Sequence, residues 1–259
     1  MPTAAQLHYF AHGVDNYDHA PVLLIHGSGG HHLYWPPQLR RLRDHRIYAM
    51  DLPGHGRSDG IGRDLVEDYV GDLTAFMDAV GLNSAIWIGH SLGGAIALHA
   101  ALHNPHRVLG LGMVASGARL RVDAELLGLI SREAAFGSAL KLIGDRSFSA
   151  SVDSRLKQLA IQRMGEMRSA VLLGDFVACN AFDESSHLGQ IRVPTLIVCG
   201  ADDRMIPPRA SEALHSAIPH SELVVLPDAG HMLMLERPEQ TAAVLARFIN
   251  SVKYRPGVS

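Results

Sequence analysis

The chain has 259 residues, of which 47% are hydrophobic and 19% charged, and a formal net charge of −3. That length is ample for a sizeable core in one large α/β domain or two small ones, and the slight acidity excludes the electrostatic footprint of a nucleic-acid or anionic-membrane binder. No run approaches the roughly 18 apolar residues of a membrane span, and Met1 to His8 carries neither a charged n-region nor an apolar h-region. The expectation is a cytoplasmic protein with no nucleic-acid or membrane partner; its oligomeric state is left open.

Short apolar and β-branched runs separated by helical patterns predict a parallel sheet covered on both faces. A weak strand is expected at Leu7 to His12 and a stronger one at Pro21 to His26, running into the glycine-rich turn His26-Gly27-Ser28-Gly29-Gly30. A strand at Arg46 to Met50 precedes the turn Asp51 to Asp59. Leu65, Tyr69, Val70, Leu73, Phe76, Met77 and Val80 then recur at helical spacing up to Gly81. The strand Ser84 to Gly89 leads into Gly89-His90-Ser91-Leu92-Gly93, and a helix from Leu92 stops before Asn104-Pro105, where proline disfavours helical dihedrals in its predecessor. After a strand at Val108 to Ala115 the alternation breaks. From about Gly117 to His187 the pattern is helical, which predicts an excursion lying over the strand ends as a lid. Strands at Pro194 to Gly200 and Ser221 to Leu226 and a helix from Pro238 to Val252 complete the chain. The division expected is 1–116 for the first part of the core, 117–187 for a helical cap and 188–259 for the second part.

A serine on a sharp turn between a buried strand and a helix is a candidate nucleophile, and Ser91 occupies such a place. A serine hydroxyl attacks only when a base takes its proton, and the base needs an acid to hold its tautomer. His231, in the glycine-bearing loop after Leu226, is the candidate base; Asp203 and Asp202, in the loop after the strand that ends at Gly200, are the candidate acids. Negative charge developing on an attacked carbonyl needs prepositioned donors, and the backbone N–H groups of Leu92 and Ser28 are placed to supply an oxyanion hole. Gly27 and His90, flanking these turns, are expected at the substrate. Trp35, with Tyr34 and Leu33, either lines an acyl pocket or braces the loop. The turn at 26–30 lacks the lysine of a phosphate-binding loop and the spacing of a dinucleotide site. Although there are 16 histidines, no pair is read as having metal-ligand spacing, and Cys179 and Cys199 read as reduced thiols, so no metal and no cofactor is expected.

The motifs at 26–30, 51–59 and 89–94, with Gly200-Ala201-Asp202-Asp203 and Gly230-His231, resemble those of the α/β-hydrolase superfamily, and of its small capped serine hydrolases in particular. The resemblance implies a mostly parallel central sheet flanked by helices with an inserted helical cap, Ser91 as nucleophile, Asp203 as acid, His231 as base, and Ser28 and Leu92 as oxyanion donors. The activity it implies is hydrolysis of a moderately hydrophobic carboxylic ester through an acyl-serine intermediate. Enol-lactone or C–C bond hydrolysis, monoacylglycerol lipolysis and perhydrolysis stay open on the same motifs, as does a hydrolase-like receptor with little turnover. Serine rather than aspartate at position 91 argues against epoxide and haloalkane hydrolysis.

Overall fold

The computed structural model describes residues 2–15 and 17–254; Met1, Asn16 and the last five residues, which belong to the outer parts of the expected division, lie outside the described residues. The strands are β1 (Thr3–Ala4), β2 (Leu7–His12), β3 (Val22–Ile25), β4 (Ile47–Met50), β5 (Ala85–His90), β6 (Val108–Val114), β7 (Thr195–Gly200) and β8 (Glu222–Leu226). They form one sheet in the order β1-β2-β4-β3-β5-β6-β7-β8, in which β1 and β2 run antiparallel and every pairing from β4 to β8 is parallel. The helices are α1 (Pro37–Arg40), α2 (Val66–Ala79), α3 (Leu92–His103), α4 (Ala124–Ile130), α5 (Phe136–Ser147), α6 (Ser154–Gly165), α7 (Ser169–Ala181), α8 (Pro208–Ala217), α9 (Leu233–Glu236) and α10 (Pro238–Ser251). This is the mostly parallel sheet flanked by helices that the resemblance implies.

The period-2 alternation of β3 divides the core. Leu23 and Ile25 join Trp87, Leu111, Met113 and Ile197 against α2 and α3, whereas Val22 and Leu24 join Ile86, Ile88, Leu196 and Val198 against α1 and α10. A third cluster is internal to the excursion between β6 and β7, where Leu126, Ile130, Leu140, Ile143, Met164, Leu172 and Phe176 pack together. The chain leaves and re-enters the core at one neck: Arg119 bridges Asp183, and the Glu184 N–H donates to the Ala118 carbonyl at 2.8 Å.

Five expected strands begin one residue late, at Val22, Ile47, Ala85, Thr195 and Glu222, and for two of them the reason is proline. Pro21 and Pro194 have no N–H, so they join the ladder only as acceptors, from Ile86 N and Leu111 N respectively. The short β1 went unread because its turn to β2 uses Ala5 and Gln6, both at positive φ, in place of the Asn-Gly pair that signals such a turn. No described helix is long and apolar enough to cross a membrane.

Candidate active site

The sheet order reverses between β3 and β5, which are hydrogen-bonded neighbours with Ile25 opposite Gly89. In open α/β sheets the crevice at such a switch point, beyond the carboxyl ends of the strands, is where ligands bind. The glycine-rich turn after β3 and the turn after β5 therefore emerge side by side.

Ser91 sits between β5 and α3 at φ 53° and ψ −116°, a conformation that a residue with a side chain holds only when its surroundings impose it. Those surroundings are explicit. Its N–H donates to Val114 O at 2.9 Å, and its carbonyl accepts from Gly94 N at 2.9 Å and from Ser116 Oγ at 2.8 Å. The Ser91 hydroxyl makes no capping bond to α3, so the serine is not there as a helix cap. The helix can start this close to the sheet because a Cβ at Gly93 would lie 2.3 Å from the carbonyl oxygen of Ile25. Gly27 makes the second close approach: a Cβ there would lie 3.0 Å from Ser91 Cβ and 2.7 Å from His90 Nδ1. The amide of Ser28 follows directly on that contact, and the amide of Leu92 opens α3, where the first N–H groups of a helix lack an intrahelical acceptor.

Beyond β8, His231 is buried and donates its Nδ1–H to Asp203 Oδ2 at 2.8 Å. The other oxygen of Asp203 accepts from the N–H groups of Met205 and Ile206 at 2.8 and 2.9 Å, so the carboxylate both orients the imidazole and ties down its own loop. Asp202 is exposed, whereas Asp203 is buried and is the one of the two aspartates that bonds His231. Ser28, His90, Ser91 and His231 all line one cavity of about 430 Å³, within the size range of small-molecule sites. Part of its apolar wall comes from the excursion, through Leu126, Ile143, Met164 and Phe176, and part from Met205, Ile206 and Met232 beyond β7 and β8. Five arginines, at 119, 121, 146, 204 and 209, line it together with one carboxylate, Asp123.

His90 lines this cavity, yet its Nε2–H donates to the His231 carbonyl at 3.0 Å. Burial and the neighbouring His231 imidazole hold it well below the ordinary histidine range, so it is a neutral brace for the backbone of His231. Trp35 is brought elsewhere. It is fully buried in the α1/α10 core beside Tyr34 and Leu39 and does not line the cavity, while Leu33 is exposed; of the two alternatives for Trp35, bracing is the one the packing fits. Both cysteines are buried free thiols, with burial pushing Cys179 up to about 12.

Two carboxylates missed in the sequence hold the site together. Asp175, on α7 and fully buried, accepts from Gly29 N at 3.0 Å, from Tyr69 OH at 2.6 Å and from His55 Nε2 at 2.8 Å, clamping the glycine-rich turn to the excursion. His55 donates its other N–H to Pro53 O at 3.0 Å. Burial opposes its charge, but the Asp175 carboxylate and these acceptors outweigh it and raise its pKa, so it forms a buried ion pair. His26 is the opposite case: its Nδ1–H donates to Gly27 O and its Nε2 accepts from Leu52 N, a neutral arrangement, and burial lowers it to about 3. Glu236 accepts from Gly230 N and Ser149 N, both at 2.9 Å, and so ties the His231 loop to the end of α5. The available signal was a lone acid inside an apolar run, Leu173-Gly174-Asp175-Phe176 and Leu235-Glu236.

Two other clusters collect histidines with an acid. In one, both oxygens of Asp51 are occupied by His8 Nδ1, His32 Nδ1, His32 N and Arg57 N, which locks the turn after β4. These bonds hold the Asp51 carboxyl well below the usual carboxylate range even though burial pushes the other way. The other cluster is His99, His103 and Glu184. It corrects the expectation that no histidine pair has ligand spacing, because residues four apart share one face of α3.

The Alpha/beta hydrolase family profile matches residues 22–244 of this chain. The pimeloyl-[acyl-carrier protein] methyl ester esterase of Xanthomonas oryzae pv. oryzae strain MAFF 311018 is 31% identical over 255 residues, covering 92% of this chain and 99% of that protein. Among solved structures, a thermophilic esterase is similar at 33% identity and TM-score 0.82, covering 95% of this chain and 94% of that one. The enol-lactonase of Burkholderia xenovorans LB400 has the same fold, with a TM-score of 0.87 at 24% identity over 95% of this chain and 96% of that one.

Proposed function

Because this chain belongs to the alpha/beta hydrolase family and its relatives include esterases, we propose that it hydrolyses carboxylic esters by way of an acyl-Ser91 intermediate. The observation that carries the reading is that His231, bonded to the buried Asp203, opens onto the same cavity as a serine held at positive φ. In the proposed cycle Ser91 Oγ attacks the ester carbonyl carbon and passes its proton to His231 Nε2, while the Ser28 and Leu92 amides take the charge that forms on the carbonyl oxygen. His231 then protonates the departing alkoxide, and the C–O bond breaks to leave acyl-Ser91 and an alcohol. Water, deprotonated by His231, attacks the acyl carbon in turn; the C–Oγ bond breaks, Ser91 recovers its proton and the acid leaves. Asp203 stays ionised throughout and stabilises the imidazolium.

The excursion at 117–187 acts in this reading as a cap that supplies part of the apolar acyl wall. The excess of arginines over carboxylates in the cavity supports an ester carrying an anionic group at its far end. Turnover of p-nitrophenyl butyrate by purified protein tests the core of the proposal. Ser91→Ala is expected to lower kcat by about 10⁴-fold or more with the fold intact by circular dichroism. Undiminished turnover by that variant would refute it.

A further inference from the structure

About 12 to 18 Å along α3 from Ser91, at the helical rise of about 1.5 Å per residue, three imidazoles converge on one carboxylate. His99 Nδ1 and His103 Nε2 each lie 2.8 Å from Glu184 Oε1, and His187 Nδ1 lies 2.7 Å from Oε2. Glu184 is nearly buried, whereas the side chains of His103 and His187 are 48% and 46% exposed. The chemistry proposed for Ser91 uses none of these groups.

We propose that His99, His103 and Glu184, with His187 as the fourth donor, form a binding site for a divalent transition ion of the zinc class. Histidines at i and i+4 present two nitrogens from a rigid helix face, and a carboxylate arriving from a separate segment supplies the third donor, as in many three-ligand sites. Imidazole-rich sets suit zinc, cobalt, nickel or copper, while calcium and magnesium take oxygen ligands, so the donor set itself selects the class. One carboxylate with neutral imidazoles partly offsets the dication, and the half-exposed rings leave an entry path. A tetrahedral ion at about 2.1 Å from each donor needs donors about 3.4 Å apart. The His99 and His103 contacts with Oε1 therefore open by about 0.6 Å, with their ligand atoms already within 4.8 Å of one another, while His187, which bonds Oε2, must turn further to join them.

The location gives such an ion a purpose. Glu184 pairs through its backbone with Ala118 at the neck of the excursion, so an ion shared with α3 staples the base of the cap to the helix that follows Ser91.

The test uses the whole chain, stripped with chelator and titrated with zinc chloride by calorimetry and with cobalt chloride by visible absorption. The expected result is one ion per chain at this site, intense d–d bands of tetrahedral cobalt, and a melting temperature raised by roughly 5 °C when free zinc is about 100-fold above Kd. His99→Gln/His103→Gln is expected to abolish the bands and the shift, and Glu184→Gln to weaken affinity by about 10- to 100-fold. His187→Gln, at a half-exposed position, weakens binding without endangering the fold and keeps the test decisive if the double variant fails to fold. Absence of saturable binding, or affinity in both Glu184→Gln and His187→Gln equal to that of the wild type, overturns the proposal and leaves a hydrogen-bonded histidine cluster.

Discussion

The turns beyond the sheet and the excursion between β6 and β7 both line the cavity, but they are built on opposite principles. In the turns, backbone geometry leaves almost no choice: Gly93 and Gly27 sit where a Cβ would meet neighbouring atoms at 2.3 and 2.7 Å, and Ser91 is fixed by hydrogen bonds through its own main chain. The excursion is held by apolar packing of its own, through Leu126, Ile143, Met164 and Phe176, and meets the turns through discrete polar clamps at Asp175 and Glu236. Exact backbone placement suits groups that move protons, whereas a packed helical wall can change its side chains, and so its pocket, at modest cost. The division implies that changes in the turns act on kcat and changes in the wall act on KM, with the clamps in between.

The sharpest test of that division on the side of the turns is Asp203→Asn, which keeps the size of the side chain but presents the wrong group to His231 Nδ1. The expected loss is about 10⁴-fold in kcat at nearly constant KM, measured by steady-state hydrolysis of p-nitrophenyl butyrate. A loss confined to KM would erase the distinction between turn and wall.

At the boundary, Asp175→Asn leaves His55 without its buried anion and loosens Gly29. Breaking a buried pair typically costs about 3–5 kcal/mol, to be read from urea unfolding, and the displaced turn is expected to lower kcat by about 10- to 100-fold. Stability lost with kcat untouched would make Asp175 a packing residue alone.

Acidity acts with opposite signs on the histidines of the turns and on the histidine that the excursion clamps. His26 and His90 are kept neutral by burial, so the unfolded chain takes up protons that they refuse; their contribution is intact above about pH 6.5 and is lost as pH falls toward about 3 for His26. Each approaches a slope of about 1.4 kcal/mol per pH unit in that window. His55 runs the other way: raised by Asp175, its contribution is full below pH 6.5 and fades as pH climbs through its folded-state value. Urea midpoints are expected to fall from pH 6.5 to 4.5, and to fall more steeply in Asp175→Asn, where burial leaves His55 as a third neutral histidine. A flat profile, or equal slopes in the two proteins, would contradict these assignments.

The smallest effect belongs to the wall. Arg121→Ala is expected to raise KM about 3- to 10-fold for an ester ending in a carboxylate and to leave a neutral ester of equal length unchanged. Equal changes for both esters would remove the case for an anionic substrate group.

What could be read from the sequence follows the same line. α3 falls where Gly93 and Asn104-Pro105 put it, because those signals are local and strong, and β2 keeps its expected bounds although its pattern is weak. The turns carrying Ser91, Asp203 and His231 were legible for the same reason: each follows a buried strand on a short loop rich in glycine or aspartate. Trp35 was not, since a tryptophan after a glycine-rich turn can go into a pocket or into the core, and only the packing around α1 and α10 sends it inward. Asp175 lies 146 residues from Gly29 and Glu184 lies 81 from His103, distances at which a lone carboxylate carries no record of its partner. The i,i+4 spacing of His99 and His103 was present in the sequence; without Glu184 beside it, the pair had no chemistry to announce.

The central claim is that Ser91 is the group made nucleophilic at neutral pH. Treatment with a fluorophosphonate probe followed by peptide mass spectrometry tests it most directly. The account predicts one stoichiometric adduct on Ser91, absent from Ser91→Ala and formed far more slowly in His231→Ala. A stoichiometric adduct on any other residue, or labelling of Ser91 at the same rate without His231, would contradict it.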